Sequence, residues 1–335
     1  MVNVAINGFG RIGRNFLRAV LKDESVAQKF RVAAINVGPA NVDAVAHMFK
    51  YDTIMGIYPD DVSMKNGELK IGNYRINVIN QLDPAKIDWY KFGIDWVVES
   101  SGKFTDRKGA ALHLSAGAKK VLITAPAKDE DVTIIPGVND TDYDKINHKI
   151  VSLGSCTTNA IVPTLKVLHD AFAIQQGFMT TIHAYTNSQV LLDVEKKDLR
   201  RARAAALNII PTSTGATKVI GKVIPDLQGL IGGVAVRVPV AKVSLIDVTF
   251  VAKEKLSAKK INNSFEKASK SDPLSGIVSI SSDPLVSSDY SSNNYSVVID
   301  GLLTDAKDNA GKLFGWYDNE WGYSVRLKDF LMTVS

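Results

Sequence analysis

Cysteine is almost absent from this sequence of 335 residues, which contains a single one, Cys156. One cysteine cannot form an intramolecular disulfide, and such scarcity is typical of proteins in a reducing compartment. No apolar run is long enough to cross a bilayer, and residues 2–6 have the composition of a strand and not of a secretory leader. We therefore expect a cytoplasmic protein without a membrane partner.

The excess of charge of one sign is also small. The sequence has 40 Lys and Arg against 35 Asp and Glu, a net charge of +5. The basic residues gather only around positions 196–203, which is typical of a solvated or subunit-facing surface or of a nearby anionic ligand. Nucleic acid is therefore not expected as the main partner. Internal repeats and low-complexity tracts are absent as well.

A glycine-rich turn follows the first predicted strand. Gly8, Gly10 and Gly13 fit the pattern G-x-G-x-x-G, and apolar residues at helical spacing come after it. In such a unit the first glycine permits a tight turn and the second lets the backbone approach a pyrophosphate. The third glycine lets the helix pack on the strand. The turn thus predicts a dinucleotide-binding site with the pyrophosphate at a helix N-terminus.

The second predicted strand, residues 31–36, ends without an acidic residue. An NAD-selective unit uses Asp or Glu here to hold the ribose 2′-hydroxyl, whereas in this sequence Val37 follows Asn36. A carboxylate would repel a 2′-phosphate, and its loss removes that repulsion. NADP is therefore plausible beside NAD.

Alternation of predicted strands and helices continues through the first half. An Asn-Gly hairpin is predicted at 66–67, a helix over 109–119 and short buried strands near 97 and 122. The second half has long β-branched runs instead. The predicted fold class is therefore α/β, a Rossmann-type doubly wound parallel sheet followed by an α+β catalytic domain with a mostly antiparallel sheet. We expect domains at 1–154 and 155–318, with a C-terminal helix at 319–335 returning to the dinucleotide-binding domain.

Cys156 lies between a predicted strand and a predicted helix. The apolar run 150–153 precedes it, and Ile161, Leu165 and Leu168 recur at helical spacing after it. A thiol at a helix N-terminus lies in the positive end of the helix dipole, which favours the nucleophilic thiolate. A buried structural cysteine is the alternative, because free cysteine is among the most buried residue types. The stretch alone leaves both readings open.

Three features of the second half have a structural and a functional interpretation. His183 lies in a predicted strand, where a histidine is more often structural than catalytic. Residues 212–215 resemble a hydroxyl-rich anion cradle, or else an ordinary helix cap. Arg237 lies inside an apolar run, and a buried arginine needs an anionic partner.

Six motifs together resemble phosphorylating glyceraldehyde-3-phosphate dehydrogenase over essentially the whole chain. They occur in the order of that family, at residues 6–14, 155–159, 199–203, 211–216, 237–239 and 317–322. The resemblance implies a glycolytic enzyme that oxidises glyceraldehyde 3-phosphate to 1,3-bisphosphoglycerate, with inorganic phosphate as acceptor and hydride transfer to NAD or NADP. It also implies a homotetramer.

The resemblance assigns roles to residues at the matching positions. Cys156 would be the nucleophile that forms a thioester, and His183 the base. The cofactor contacts it implies are Gly8, Gly10, Arg11, Ile12, Gly13, Asn36, Thr124 and Asn319, the last of which would hold the nicotinamide carboxamide. The substrate-phosphate contacts are Thr186 and Arg237, and the inorganic-phosphate contacts are Ser155, Thr157, Thr214 and Gly215. No metal site is implied.

Some positions depart from the family's pattern. Val37 replaces the ribose-binding acid, and Lys196 enters the long basic loop; both changes favour NADP. Leu82 replaces an arginine near the adenine, and this change disfavours NADP. We expect relaxed selectivity between NAD and NADP. Two alternative functions are an erythrose-4-phosphate dehydrogenase and a non-catalytic protein that binds RNA or a surface partner.

Overall fold

The computed structural model describes residues 1–335, and it divides the chain into two compact units. The first unit comprises Met1–Ile134, Thr141–Gly154 and Ser324–Ser335, and the second comprises Ile135–Asp140 and Ser155–Tyr323. None of the seven α-helices combines the length and the apolar character that a membrane span needs.

The first unit is built on a nine-stranded sheet in the order β3-β4-β5-β2-β1-β6-β7-β9-β8. Its strands are β1 Val2–Asn7, β2 Phe30–Asn36, β3 Val62–Lys65, β4 Glu68–Ile71, β5 Tyr74–Ile79, β6 Trp96–Glu99, β7 Lys120–Ile123, β8 Val132–Thr133 and β9 Ile150–Ser152. Its helices are α1 Arg11–Lys22, α2 Ala44–Lys50 and α3 Arg107–Ser115, with short 3₁₀ turns at Glu24–Gln28, Pro84–Lys86 and Tyr90–Phe92. Only β3, β4 and β5 pair in antiparallel fashion, so the predicted doubly wound parallel sheet and the hairpin at 66–67 are confirmed.

β1 lies at the centre of this sheet, with β2 on one side and β6 on the other. Its register pairs Asn7 with Asn36 of β2 and with Glu99 of β6, so three strands end in polar side chains at the same edge. The chain leaves β1 toward both sides of the sheet, which makes this edge a topological switch point. Ligands bind at the carboxyl ends of parallel strands at such a point.

The second unit contains a mixed sheet in the order β11-β12-β10-β13-β17-β15-β14, with β16 added beside β17. Its strands are β10 Ile174–Ala184, β11 Ile210–Thr212, β12 Ile231–Val238, β13 Ser244–Ala252, β14 Val278–Ser281, β15 Val297–Asp300, β16 Asp305–Lys307 and β17 Ala310–Tyr317. Its helices are α4 Cys156–Phe172, α5 Ala216–Val223 and α6 Ala258–Ala268, with 3₁₀ turns at Ala205–Leu207, Pro225–Leu227 and Ser287–Tyr290. The pairs β10–β12 and β14–β15 are parallel and the remaining pairs are antiparallel, as the predicted mostly antiparallel sheet requires.

Helix α4 packs against this sheet and against the helices α5 and α6. Ile161, Leu165 and Leu168 are completely buried in the largest apolar cluster of the second unit, which confirms the helical spacing. Burying three such side chains contributes roughly 5–9 kcal/mol. The start of α4 is therefore carried by a firmly packed helix.

The helix predicted over 109–119 has different limits, because local capping decides them. The Asp106 side chain accepts a hydrogen bond from the Gly109 N–H at 2.7 Å, so α3 starts earlier than its alanine-rich part. It ends at Ser115, before Gly117, whose φ of 100° a side chain rarely adopts. A Cβ at Gly117 would also lie 2.8 Å from the Tyr90 backbone nitrogen.

The closing helix, α7, spans Trp321–Val334, close to the predicted range. The compact first unit takes in its residues from Ser324 onward. The loop between β10 and β11 is long and contains one 3₁₀ turn and no other regular helix or strand.

Candidate active site

The first residue of helix α4 is Cys156. Ser155 is its N-cap and accepts a hydrogen bond from the Thr158 N–H at 3.1 Å, while the Thr158 hydroxyl accepts from the Ser155 N–H. This reciprocal capping box fixes the first turn. The sulfur, which is partly exposed, is thus held at the positive end of a stable helix.

His183 is the nearest titratable partner of the thiol. It is the penultimate residue of β10 and is 4% exposed. Its Nε2 lies 3.5 Å from the Cys156 Sγ, within hydrogen-bonding distance for sulfur. Two residues that are 27 positions apart in the sequence therefore lie together as a thiol–imidazole pair, the geometry that a nucleophile and its base require.

The other ring nitrogen of His183 also has close neighbours. Nδ1 lies 2.6 Å from the Ala184 carbonyl oxygen and 2.7 Å from Nη1 of Arg237. Arg237 is the register partner of His183 on the parallel strand β12, so the sheet itself brings the two side chains together. Arg237 Nη1 also donates to the Ala184 carbonyl at 3.0 Å.

Burial dominates the acid–base properties of this pair. Burial and, after it, the Arg237 charge lower the pKa of His183 to about 3, so the imidazole is neutral in the ligand-free chain. Burial also raises the pKa of the Cys156 thiol, against the opposing effects of Arg237 and of hydrogen bonds from Thr157. Desolvation therefore outweighs the lowering of the thiol pKa that a helix start gives.

Tyr317 belongs to the site, although the sequence reasoning assigned it no role. Its hydroxyl lies 3.0 Å from the Thr157 hydroxyl and 2.7 Å from the Thr181 hydroxyl. Its ring meets the His183 ring edge-on, with the centroids 6.0 Å apart. The alternation along β17 ending in a buried tyrosine beside the 318–322 motif was the signal that could have indicated it.

Thr157 lies beside Tyr317. Its side chain is 5% exposed, and its hydroxyl lies 3.0 Å from the Tyr317 hydroxyl. A hydroxyl has one donor and two acceptor lone pairs, so this bond leaves it capacity for another. The contact between Thr157 and inorganic phosphate therefore stays a prediction.

Three of the predicted anion contacts, Thr186, Thr214 and Gly215, lie on two segments. Thr186 follows β10, and its hydroxyl lies 2.9 Å from that of Ser188. The Thr214 hydroxyl accepts from the Ala216 N–H at 3.2 Å, and Gly215 is the N-cap of α5. These contacts are those of an ordinary loop and helix cap, and the structure links neither Thr186 nor Thr214 to Cys156 by a hydrogen bond.

Arg201 connects the long loop to this region, and the sequence reasoning counted it only as part of a basic cluster. Its Nε donates to the Thr212 hydroxyl at 2.9 Å, and its Nη2 lies 3.3 Å from the Ser213 carbonyl. Its charge also lowers the pKa values of His183 and Arg237. It thus adds a second guanidinium to the positive surroundings of the thiol–imidazole pair.

Asn319 is 4% exposed, and a short chain of hydrogen bonds fixes its amide. The Ser244 hydroxyl accepts from the Ala184 N–H at 3.1 Å and donates to Asn319 Oδ1 at 3.2 Å. The Ser244 hydroxyl thus holds Oδ1 of Asn319 in place. This chain connects Asn319 to the residue beside His183.

The segment that carries Asn319 is anchored by a buried ion pair. Lys242 Nζ lies 3.0 Å from Asp318 Oδ2, and their side chains are 6% and 0% exposed. Asp318 also accepts from the backbone N–H groups of Ser292, Glu320 and Trp321, and the last two bonds cap the start of α7. The ion pair and these three hydrogen bonds fix the backbone on both sides of Asn319.

Replacing Lys242 by methionine is expected to lower the free energy of unfolding by about 3 kcal/mol, since it leaves the Asp318 charge buried without its cation. Urea titration followed by tryptophan fluorescence measures the change. The matched control is Lys312→Met, which removes an ion pair whose side chains are 44% and 26% exposed and should cost less than about 1 kcal/mol. Equal effects of the two substitutions would contradict the prediction.

A cavity of about 370 Å³ lies in the first unit at the switch point of its sheet. Gly8, Gly10, Asn36 and Val37 line it, as predicted for a dinucleotide site. Arg11, Ile12, Gly13 and Thr124 do not line it. The position of the cavity therefore gives no support to the cofactor contacts predicted at these four residues.

Packing explains where those side chains go. A Cβ at Gly13 would lie 2.3 Å from the Gly8 carbonyl oxygen, so α1 approaches β1 as closely as the fingerprint requires. The Arg11 guanidinium is paired with Asp52. The Thr124 hydroxyl donates a hydrogen bond to the Glu99 carbonyl oxygen at 3.1 Å.

A buried polar network supports the floor of the cavity. Glu99, which is 1% exposed, accepts from Asn7 Nδ2 at 2.5 Å and lies 2.9 Å from His113 Nε2. Asn36 Nδ2 donates to Asn7 Oδ1 at 2.7 Å and to the Gln81 carbonyl at 2.8 Å. The Asn36 amide is thus committed to the protein, and the sequence reasoning had not anticipated the roles of Glu99 and His113.

Two family models match the chain. Residues 2–107 match the model described as "Glyceraldehyde 3-phosphate dehydrogenase, NAD binding domain", and residues 155–319 match "Glyceraldehyde 3-phosphate dehydrogenase, C-terminal domain". The chain is 47% identical to glyceraldehyde-3-phosphate dehydrogenase of Priestia megaterium over 335 residues, which is 100% of this chain and 98% of the relative. It is 46% identical to glyceraldehyde-3-phosphate dehydrogenase 2 of Bacillus subtilis, over 100% of this chain and 97% of the relative. The enzyme of that name from Mycobacterium avium is 48% identical, over 99% of this chain and 98% of the relative.

Proposed function

Because the chain belongs to the glyceraldehyde-3-phosphate dehydrogenase family, we propose that it oxidises glyceraldehyde 3-phosphate to 1,3-bisphosphoglycerate with NAD and inorganic phosphate, as a step of glycolysis. The observation that carries the proposal is the chain's only thiol, at the capped start of a helix, 3.5 Å from a buried imidazole nitrogen. The relatives described above are all named for this dehydrogenase, so the erythrose-4-phosphate alternative and a purely binding role are not favoured.

The chemistry assigned to this pair needs one nucleophile and one base. The Cys156 thiolate forms a bond to the aldehyde carbon and gives a hemithioacetal. His183 Nε2 takes the hydroxyl proton as the hemithioacetal is oxidised to a thioester. Inorganic phosphate then attacks the thioester carbon, and the Cys156 sulfur leaves as thiolate. Bound NAD supplies the hydride acceptor for the oxidation.

Charge that develops on the substrate oxygen is met by the helix start. The Cys156 N–H is among the first N–H groups of α4, which have no partner within the helix. The capping box holds this turn rigid, so the donors need little reorganisation when the oxygen becomes negative.

Anion recognition is assigned to side chains around this pair. We propose Arg237 and Thr186 for the substrate phosphate. For the inorganic phosphate we propose Ser155, Thr157, Thr214 and Gly215. Arg237 suits a phosphate because its planar guanidinium can donate to two oxygens at once, and its buried Nε has no partner in the ligand-free chain. Arg201, through its bond to Thr212, would add positive charge beside the second pocket.

The residues of the first unit fit a dinucleotide. Side chains at Gly8 and Gly13 would collide with backbone atoms at 2.4 and 2.3 Å, so only glycine permits this narrow turn. Gly8, Gly10, Gly13 and the backbone at Arg11 and Ile12 would hold the pyrophosphate, and the cavity beside Asn36 and Val37 would hold the adenosine. We assign the nicotinamide carboxamide to Asn319.

NAD is the cofactor of this family's first domain, and we propose that NADP also binds. No Asp or Glu lines the cavity, whereas Arg14 and Lys103 do. Val37 is 7% exposed at the end of β2, where a carboxylate would meet a 2′-phosphate. An uncharged side chain at this position discriminates little against the extra phosphate.

Replacing Val37 by aspartate is expected to weaken NADP binding by roughly tenfold to a hundredfold through charge repulsion, and NAD binding much less. Titrations followed by tryptophan fluorescence give both dissociation constants. Val37→Asn is the matched control, since it has the same shape as aspartate without the charge and should keep the NADP affinity. An unchanged NADP affinity in Val37→Asp, or no measurable NADP binding to the unsubstituted chain, would contradict the proposal.

The reaction itself is tested by its dependence on phosphate. We expect NADH to form from glyceraldehyde 3-phosphate at a rate that rises with inorganic phosphate to saturation, with an acyl phosphate as product. With erythrose 4-phosphate as the aldehyde, we expect a much lower kcat/KM. Phosphate-independent formation of a free carboxylic acid as the main product would overturn the assignment.

We also propose that the chain forms a homotetramer in the cytoplasm. Phe178 and Val234 lie on one face of the paired strands β10 and β12, and they are 71% and 52% exposed. Leu207 and Ile209, which come just before or at the edge of β11 in the sequence, are 77% and 70% exposed. Apolar side chains exposed together are typical of subunit interfaces. Sedimentation equilibrium measures the mass, and a free thiol agrees with a reducing compartment.

A further inference from the structure

Glu99 is a buried carboxyl group that the chemistry of the thiol does not use. It is the last residue of β6, and four hydrogen-bonding groups surround its two oxygens. Oε2 accepts from Asn7 Nδ2 at 2.5 Å and lies 2.9 Å from His113 Nε2. Oε1 accepts from the Ser101 N–H at 2.8 Å and from the Ser101 hydroxyl at 2.5 Å. The carboxyl group therefore joins the end of β1 to the segment that follows β6.

Trp89 fixes the direction of the bond between His113 and Glu99. An indole N–H can only donate, and Trp89 Nε1 lies 3.1 Å from His113 Nδ1, so Nδ1 is the acceptor. The ring proton of His113 then lies on Nε2, which donates to Glu99 Oε2. The side chains of Trp89 and His113 are completely buried in the first unit. This position beside His113 therefore has to be filled by an acceptor.

The direction of the bonds continues through two amides. Because Asn7 turns Nδ2 toward Glu99, its Oδ1 faces away and accepts from Asn36 Nδ2 at 2.7 Å. Asn36 in turn uses Oδ1 to accept from the Gln81 N–H at 2.9 Å. Residues Asn7, Asn36, Gln81 and Ser101 all line the cavity of the first unit. One carboxyl group thus sets the position of the cavity wall at Gln81 and of the wall at Ser101.

We propose that Glu99 is a positioning residue for the adenosine half of the dinucleotide, and that it acts through the direction of these hydrogen bonds. The inference rests on the proposed function, which places the adenosine in this cavity. A carboxyl group suits the role because both of its oxygens accept, one from the side of Asn7 and one from Ser101. An amide of the same shape has one acceptor oxygen and one NH₂ group, so it cannot serve both walls.

Replacing Glu99 by glutamine should release one wall and keep the other. The His113 N–H requires an acceptor, so the glutamine oxygen would face His113 and Asn7. Its NH₂ group would then meet the Ser101 N–H, where two donors oppose each other. Hydrogen exchange followed by mass spectrometry should show faster exchange in the segment 101–103 of this variant, and unchanged exchange at Gln81. Unchanged exchange at 101–103 would contradict the proposed direction of the bonds.

The functional test is the affinity for ADP, which carries the adenosine but no nicotinamide. Calorimetric titration of the full chain should show that Glu99→Gln binds ADP about three- to tenfold more weakly, the effect of losing one hydrogen bond that shapes the site. The KM for NAD should rise by a similar factor. The value of kcat at saturating NAD should not fall in parallel, because Glu99 belongs to the first unit and the thiol to the second.

Asp131→Asn is the matched control, since it also changes a carboxyl group to an amide within the first unit. Asp131 Oδ2 accepts from the N–H groups of Lys149 and Ile150, each at 2.7 Å, and Asp131 does not line the cavity. This variant should lose stability and keep the ADP affinity of the unsubstituted chain. An ADP affinity of Glu99→Gln that is unchanged, or that is lowered equally in Asp131→Asn, would overturn the proposal.

His113→Phe is a second variant, for the case that Glu99→Gln does not fold. It removes the N–H that holds Glu99 Oε2 and leaves the cavity lining intact. We expect ADP to bind about threefold more weakly, and an unchanged affinity would refute the role of Glu99. ADP binding involves no turnover, so a chain that binds ADP as described and does not oxidise glyceraldehyde 3-phosphate would refute the proposed reaction and still support this inference. No ADP binding to the unsubstituted chain would overturn the inference.

Discussion

Replacement of Cys156 by serine is expected to lower kcat for the phosphorylating oxidation by at least about a thousandfold, as the loss of a nucleophile does in other enzymes with covalent intermediates. A serine hydroxyl does not ionise near neutral pH, whereas a thiol ionises far more easily and its thiolate is the nucleophile. A serine ester would also react more slowly with phosphate than a thioester does. The measurement is steady-state formation of NADH, together with the burst of the first turnover.

The control for this variant lies on the same helix. Lys166 is on the exposed side of α4, where it pairs with Asp170 at 2.5 Å. Lys166→Gln should leave kcat unchanged, and both variants should bind NAD as the unsubstituted chain does. A burst of NADH in Cys156→Ser as large as that of the unsubstituted chain would exclude this residue as the nucleophile.

His183→Asn is expected to lower kcat by about a hundredfold to ten-thousandfold, the range for loss of a general base. Asparagine places an amide where the imidazole ring was. The substitution removes the group that takes protons from the sulfur and from the hemithioacetal. The pH dependence of kcat should also change, since the remaining groups near the sulfur do not titrate near neutrality. A kcat close to that of the unsubstituted chain would show that another group acts as the base, and partial rescue by added imidazole would support the assignment.

The same histidine links stability to pH. Its pKa is about 3 in the folded chain, below its ordinary value of 6.5, so the unfolded chain binds the extra proton between these two pH values. The free energy of unfolding should therefore fall as the pH falls from 6.5 toward 3, by up to roughly 1.4 kcal/mol per pH unit from this group. Urea titrations at several pH values measure this dependence. The free energy of unfolding of His183→Asn should fall less steeply with decreasing pH than that of the unsubstituted chain.

Local patterns in the sequence predicted most of the fold. The glycine pattern at Gly8 to Gly13 reflects contacts between one turn, one helix and one strand that are adjacent in the sequence. This local pattern was sufficient to predict the fold of the first unit. Helical spacing correctly identified the buried side of α4. The limits of α3 were missed, because they depend on a cap at Asp106 and on the crowding of Gly117 by Tyr90, which comes from a distant part of the sequence.

The site was harder to predict than the fold, since it depends on contacts across the sheet. The pairing of Cys156 with His183 follows from motif matching, but its electrostatics do not. Desolvation raises the thiol pKa against the helix dipole, and no linear pattern reports the degree of burial. The partners of Tyr317 are 160 and 136 positions away, so its place beneath the cysteine could not be inferred from spacing.

The parallel register of β10 and β12 has a consequence for folding fidelity. His183 and Arg237 are paired residues in that register, and successive side chains on a strand point to opposite faces. A slip by one position would turn one of the two side chains away from the other and separate the base from its guanidinium. Only molecules in which the two strands have aligned correctly should therefore turn over substrate. Specific activity after refolding thus measures the fraction with the correct register, which circular dichroism would not distinguish from a shifted one.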